Sequence, residues 1–196
     1  MEIITLHKPF LHYIIHKFFT DLELIDIWNE LDSFHKKNSF TTKEFTGDPL
    51  STNKLGIILD QHYVEDRSKS SILNHFTKIF RLSDLIEDKN LYNFVMDSNT
   101  DLTFVSYYKN NSEYEHHVDF SVMSVVLTLW KEPQQFQGGN LCFKSNNYTP
   151  KLHSNSLIIF PSHQMHGVSK LTCDDNAIGS SRYSICKFIS KIPVNT

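Results

Sequence analysis

Little in this chain is suited to cross-linking, to membranes or to polyanions. Its 196 residues hold only 3 cysteines, Cys142, Cys173 and Cys186. They are odd in number and fall in no C-x-x-C spacing, which excludes a disulfide framework and a cysteine-based metal or redox motif. Free thiols in a reducing compartment are expected. Gly and Pro number 6 each, with no internal repeat and no low-complexity linker. Lys and Arg together number 19 against 22 Asp and Glu, a net charge of −3, so no basic field draws in nucleic acid or anionic lipid. The opening run MEIITLHKPFLHYIIHKFF is interrupted by His7, Lys8, Pro9, His12, His16 and Lys17. It has neither the apolar core of a signal peptide nor the length of a membrane span, and a soluble cytoplasmic protein is the expectation.

Hydrophobic residues make up 40% and charged residues 21%, enough apolar material for a packed core in a single domain. Tyr13–Phe19 reads as a strand. Thr20 follows as a helix N-cap, with Glu23 three residues on to complete a capping box. Leu22, Leu24, Ile25, Ile27, Trp28 and Leu31 then give the helix a broad apolar face. Residues 36–56 are polar and loop-like, with a turn at Gly47-Asp48-Pro49. Two more amphipathic helices are predicted, from Ser71 to Phe80 and from Ser83 to Met96. After Asn99 the texture changes to short β-branched or aromatic runs: Thr103–Tyr108, Ser121–Trp130, Asn140–Lys144, Leu157–Phe160, Gly167–Leu171 and Arg182–Ile189. Helices followed by strands imply an α+β chain whose C-terminal half is a two-sheet β-sandwich.

The candidate chemistry lies in that half. His117 and Asp119, two apart on a strand, project to the same face while Val118 points away. Two imidazoles and a carboxylate with open positions suit non-haem Fe(II). Alone, H-x-D is a weak motif in a chain with 11 histidines. A third ligand is available at His163 or His166. His166 opens the apolar run through Val168 and Leu171, where a strand enters the core, and is preferred; His116 and His163 are read as solvent-facing or supporting residues. Gly138-Gly139 reads as a bulge or tight turn, because the helix and further glycine of a phosphate cradle are missing.

Four segments in order carry a resemblance. Tyr108 through Tyr114 to His117-Val118-Asp119, Phe136-Gln137-Gly138-Gly139-Asn140-Leu141, Leu157 to Phe160 with His166-Gly167-Val168, and Gly179-Ser180-Ser181-Arg182-Tyr183-Ser184 are together similar to the Fe(II)/2-oxoglutarate-dependent dioxygenases, prolyl 4-hydroxylase-like branch. Asn111 stands where that branch usually has a turn glycine, and Asn tolerates left-handed backbone. The interval from His166 to Arg182 is longer than in some relatives, with Cys173-Asp174-Asp175-Asn176 as an apparent inserted loop.

The resemblance implies a double-stranded β-helix (jelly-roll) core over residues 101–196, supported by a strand and helices in residues 1–100, the whole forming one domain. It implies Fe(II) held by His117, Asp119 and His166, with 2-oxoglutarate and O2 as co-substrates and ascorbate as a candidate reductant. Arg182 would pair with the far carboxylate of 2-oxoglutarate through two parallel hydrogen bonds, with Ser184 on the same face. Thr128, Tyr108 and Tyr114 are further candidates for the co-substrate pocket, and for the tyrosines a role as core aromatics is an equal alternative. The implied reaction is hydroxylation of a C–H bond, with succinate and CO2 as co-products; Asp119 leaves no halide position. A prolyl residue in a peptide or protein leads as substrate, with a free amino acid or small metabolite as rival. Phe188 replaces the second arginine usual in nucleic-acid demethylases of the superfamily, so nucleic acid is not expected. Residues 36–70 are a candidate lid or substrate groove. The rival from another class is a non-catalytic jelly-roll binding module. Cupin and zinc-protease spacings are not found.

Overall fold

The computed structural model describes residues 1–41, 51–174 and 179–193. Strands β1 (Glu2–Leu6) and β2 (His12–His16) precede helix α1 (Asp21–Lys36). Next come β3 (Ser51–Ile58) and three short helices, α2 (Leu59–His62), α3 (Ser71–Phe76) and α4 (Tyr92–Met96). The remainder is β4 (Thr100–His117), β5 (Met123–Leu129), β6 (Phe136–Gly138), β7 (Leu141–Phe143), β8 (Ser156–Pro161), β9 (His166–Val168), β10 (Leu171–Cys173) and β11 (Tyr183–Ser190). None of the described helices is long and apolar enough to cross a membrane.

Residues 13–19 leave the strand early, since Lys17 adopts a positive φ of 51°. Thr20 then caps α1 as its capping box predicts: the Glu23 amide donates to the Thr20 hydroxyl at 3.3 Å and the Thr20 amide to the Glu23 carboxylate at 2.7 Å. Ile27, Leu31 and Phe34, at helical spacing, are buried, and each contributes about 1.5–3 kcal/mol by leaving water. The apolar face is narrower than expected. Leu22 and Ile25 lie on the exposed side of the helix, 77% and 56% accessible.

The sheet explains how the site is assembled. Strands run in the order β1-β2-β8-β5-β11-β4, with β3 also pairing to β4, and the far part of β4 continues to β9 and β7. All of these pairings are antiparallel, and β10 pairs separately with β6. At 18 residues, β4 is too long for one flat sheet. Phe104 to Tyr107 pair with β3 and β11, whereas Tyr114 and His117 pair with β9 across a register shift; β3 follows β4 past its own shift between Thr52 and Lys54 to pair with Glu113 and Tyr114 as well. Asn111, at φ 61°, lies between the two parts. The turn predicted there is a bulge inside a continuous strand, with β4 residues 109–112 opposing a single residue of β3, and the curled sheet is a double-stranded β-helix.

Other expectations are corrected. Residues 51–56, expected as loop, belong to β3, because β4 and the Thr41–Gly56 bridge pair with their backbone. The helix from Ser83 to Met96 shrinks to Tyr92–Met96. Of its apolar residues Ile86, Leu91 and Val95 are buried while Leu85 and Phe94 are exposed, and the Asp88 carboxylate takes the Asn90 amide at 3.0 Å, a local bond that competes with helix. The run 167–171 divides between β9 and β10, where Ser169 turns to donate to the Asn140 carbonyl at 2.9 Å. Positions Gly47-Asp48-Pro49 and Asp175-Asn176 lie outside the described residues.

Candidate metal centre

His117 ends β4, His166 begins β9, and the two are direct cross-strand partners. Asp119 lies just beyond β4, its amide held by the Ser162 carbonyl at 3.0 Å. The structure thereby brings His117, Asp119 and His166 together, with one ligand atom from each within 4.8 Å of the others. His117 Nε2 is 3.3 Å from one Asp119 oxygen and His166 Nε2 is 3.4 Å from the other. The Nδ1 of His117 bonds the Glu115 carbonyl, and that of His166 bonds the Gln164 carbonyl, both at 2.8 Å. A carbonyl only accepts, so both Nδ1 atoms carry a proton, which leaves the Nε2 of each ring as the atom available to a metal. His116 and His163 are exposed. His116 lies 3.5 Å from the Cys142 sulfur and His163 is bonded to Gln164, so neither joins the cluster.

Charge in the cluster is arranged for a cation. Burial works against ionising Asp119, but the two imidazoles and the Ser124 hydroxyl outweigh it and hold its pKa below the ordinary carboxylate value. Burial lowers the pKa of His166. For His117 burial is again the largest influence, yet Asp119 and the Glu115 carbonyl overcome it and raise the pKa. A carboxylate that stays charged between the Nε2 atoms of two imidazoles is a donor set for a divalent ion of borderline softness.

The cluster opens onto a cavity of about 740 Å³ whose floor is the inner face of β3, β4, β5 and β11. Beyond one end of the cavity, Arg182 is 1% exposed, and its guanidinium carbon lies 4.7 Å from the ring centroid of Tyr108. Its Nη1 and Nη2 have no hydrogen-bond partner among the described residues. A buried cation with orphaned donors is costly until an anion pairs with it. That demand fits the free carboxylate of a bound 2-oxo acid. The Gly138-Gly139 turn makes the approach possible. Both glycines have positive φ, and a Cβ on Gly139 would sit 2.8 Å from Leu171 and 3.3 Å from the Arg182 Cδ.

The remaining candidates separate. Ser184 is buried in the cavity floor, its hydroxyl 3.4 Å from the Cys186 sulfur. Tyr108 and Tyr114 both line the cavity, and the Tyr114 ring packs, tilted by 40°, against that of His117 at 4.2 Å between centroids. Thr128 lies beside Arg182 in a smaller cleft, its hydroxyl donating to the backbone carbonyls of His153 at 3.0 Å and Ser156 at 3.2 Å. Sequence reasoning missed Lys54, whose buried ammonium stands 3.8 Å over the Tyr114 ring, and the serines behind Asp119, Ser121, Ser124 and Ser162. Lys54 reaches the site only because β3 pairs with β4, and β3 itself was unforeseen. Serine has no signature in sequence.

Residues 102–190 match the family model described as the 2OG-Fe(II) oxygenase superfamily. Among solved structures, a Pseudomonas putida prolyl-4-hydroxylase superposes with a TM-score of 0.60 at 14% identity, over 93% of each chain. The protein OsALKBH1 gives 0.60 at 16% identity, over 96% of this chain and 100% of its own. A viral collagen prolyl hydroxylase from Paramecium Bursaria Chlorella virus-1 gives 0.55 at 14%, over 92% and 96%. At such identities the likeness establishes the fold, which extends through the N-terminal half as well. No curated protein sequence matches the chain.

Proposed function

We propose that this chain, whose residues 102–190 match the model of the 2OG-Fe(II) oxygenase superfamily, hydroxylates a prolyl residue in a peptide or protein. It is a 2-oxoglutarate-dependent dioxygenase, and the finer assignments that follow are our reading of its residues. When bound, Fe(II) with 2-oxoglutarate and O2 supplies the oxidation that converts C–H to C–OH, with succinate and CO2 as co-products. His117 and His166 offer Nε2 to the metal and Asp119 an oxygen. Arg182 pairs with the far carboxylate of 2-oxoglutarate, with Tyr108 against its guanidinium and Ser184 beside it. The observation that carries this reading is the orphaned guanidinium of Arg182 beyond the end of the cavity that holds the triad.

The substrate assignment draws on the other end of that cavity. Leu102, Phe104 and Phe188 form its floor, with Val118 and Phe120 at the mouth. Phe120 is fully exposed and Val118 is 43% exposed. An uncharged aliphatic ring entering from a peptide suits such a surface, because desolvating an apolar group is favourable and desolvating a charge is not. Two of the structural neighbours are named as prolyl hydroxylases, which points the same way. A second reading, a free amino acid or other small metabolite, is favoured by Lys54, which brings positive charge into the same cavity. Ascorbate is retained as a candidate reductant for assay.

Succinate release from 2-oxoglutarate with added Fe(II), measured with and without prolyl peptides, tests the reading. Peptide-stimulated succinate together with a one-oxygen mass gain on the peptide is the expected result. Stimulation by amino acids alone selects the second reading. Absence of succinate under every condition leaves a non-catalytic binding module.

A further inference from the structure

Behind Asp119 lies a line of hydroxyls whose protons can be placed by counting. Ser124 Oγ is in short contact with Asp119 Oδ2. Ser162 Oγ lies 2.8 Å from Ser124 Oγ, and Ser121 Oγ lies 2.6 Å from Ser162 Oγ. Ser124 and Ser162 are fully buried. Each hydroxyl has one proton to donate, and an ionised carboxylate only accepts. The Ser124 proton is therefore committed to Asp119. Ser162 must then donate to Ser124, and Ser121 to Ser162. The Met123 carbonyl, at 3.2 Å from Ser121 Oγ, is the longer alternative for that last proton. All three O–H dipoles consequently point along one line toward the carboxylate, an arrangement in which each bond strengthens the next.

The chain is also tied to the backbone that carries the ligand. Ser162 accepts the Asp119 amide at 3.0 Å through its carbonyl and donates its own amide to the Val122 carbonyl at 3.2 Å. Residue 162, just past the end of β8, thus grips the 119–124 turn through main chain and side chain together.

We propose that Ser124, Ser162 and Ser121 are positioning residues for the iron carboxylate. By donating to Oδ2, they fix the orientation of the carboxylate and favour its other oxygen as the one that meets the metal, and so keep coordination positions free for 2-oxoglutarate and O2. This inference rests on the reading of His117, Asp119 and His166 as the metal ligands.

Anaerobic titration of the full chain with Co(II), followed through its d–d absorption, tests it apart from turnover. Ser124→Ala is expected to weaken Co(II) binding about 10–100-fold, the range for loss of a residue that orients a metal ligand, and to alter the band pattern as the freed oxygen joins the metal. Ser124→Thr, which keeps the hydroxyl, restores both. Ser162→Ala gives a smaller change, and Ser121→Ala the smallest. Thermal unfolding without metal checks that each variant folds. A folded Ser124→Ala protein with unchanged affinity and spectrum overturns the proposal. If that variant does not fold, a Ser162→Ala spectrum identical to wild type overturns it instead. Wild-type protein that fails to bind Co(II), or binds it equally well after His117→Ala, removes the ligand reading itself and the proposal with it.

Discussion

The two ends of the candidate site are carried by the same two strands and share almost no chemistry. Ser184 pairs in register with Ser106, Cys186 with Phe104, and Phe188 with Leu102. Arg182 stands two residues before Ser184, so Arg182 and Phe188 lie on one face about 20 Å apart at roughly 3.3 Å per residue. Asp119, bonded to Ser124, sits beside the Phe188 row, because Ser124 is the β5 partner of Phe188. One end holds an orphaned guanidinium and hydroxyls; the other offers aromatic and aliphatic surface. Alternation along a strand supplies only the inward direction. What each row binds is decided by the residue placed there, and a metal near the boundary would let one end take an anion while the other takes a neutral substrate.

The contrast collapses if its divider is removed, and this is the largest effect expected. Asp119→Ala and His166→Ala should each abolish metal-dependent succinate formation, while His163→Ala should leave it intact. An active His166→Ala enzyme beside an inactive His163→Ala enzyme would move the third ligand. The anionic end is tested next by Arg182→Lys, which replaces two parallel hydrogen bonds by a point charge. The KM for 2-oxoglutarate should rise about 10–100-fold, equivalent to about 1.4–2.7 kcal/mol, with a smaller fall in kcat. A KM that does not move would show that the orphaned guanidinium serves some other anion.

At the apolar end, Phe188→Ala removes ring surface whose full burial is worth about 1.5–3 kcal/mol. The KM for a hydroxylated substrate should rise about 10-fold, whereas substrate-free succinate formation should stay near wild type. If 2-oxoglutarate turnover falls as much as substrate turnover, the two ends are not separable and the comparison fails.

What could be read in the sequence follows the same division. The triad was legible because imidazole and carboxylate at a two-residue spacing must face one way on a strand, and because His166 opens an apolar run. Arg182 was legible as the sole arginine after Arg81. Asn111 was legible too, since few other side chains tolerate its left-handed φ. Residues whose role depends on a non-local pairing were not. The strand Ser51–Ile58 begins with polar residues and reads as loop until β4 is laid beside it, and Lys54 was hidden with it. The Ser83–Met96 pattern has helical periodicity, but Asp88 closes a local turn that periodicity does not weigh. Phe104 and Cys186 were visible as strand residues, yet nothing in one strand reveals that the other supplies its partner across the floor.

Thr128 offers the smallest and sharpest test of where the anionic end stops. It neighbours Arg182, and its register partner in β11 is Ser184, so position alone would place it in the co-substrate pocket. Its one hydroxyl proton, however, is shared between the carbonyls of His153 and Ser156. A carboxylate needs donors, and a hydroxyl whose proton is already engaged has only lone pairs to present. Thr128→Val should therefore lower stability by about 1 kcal/mol, because two carbonyls, that of Ser156 buried, lose a donor, while the KM for 2-oxoglutarate changes less than about 3-fold. Thermal unfolding and the succinate assay on the same protein measure both. A rise in KM comparable to that of Arg182→Lys would mean that the hydroxyl turns toward the co-substrate when it binds, and the polar end would extend one strand further across the sheet than Arg182 and Ser184 define.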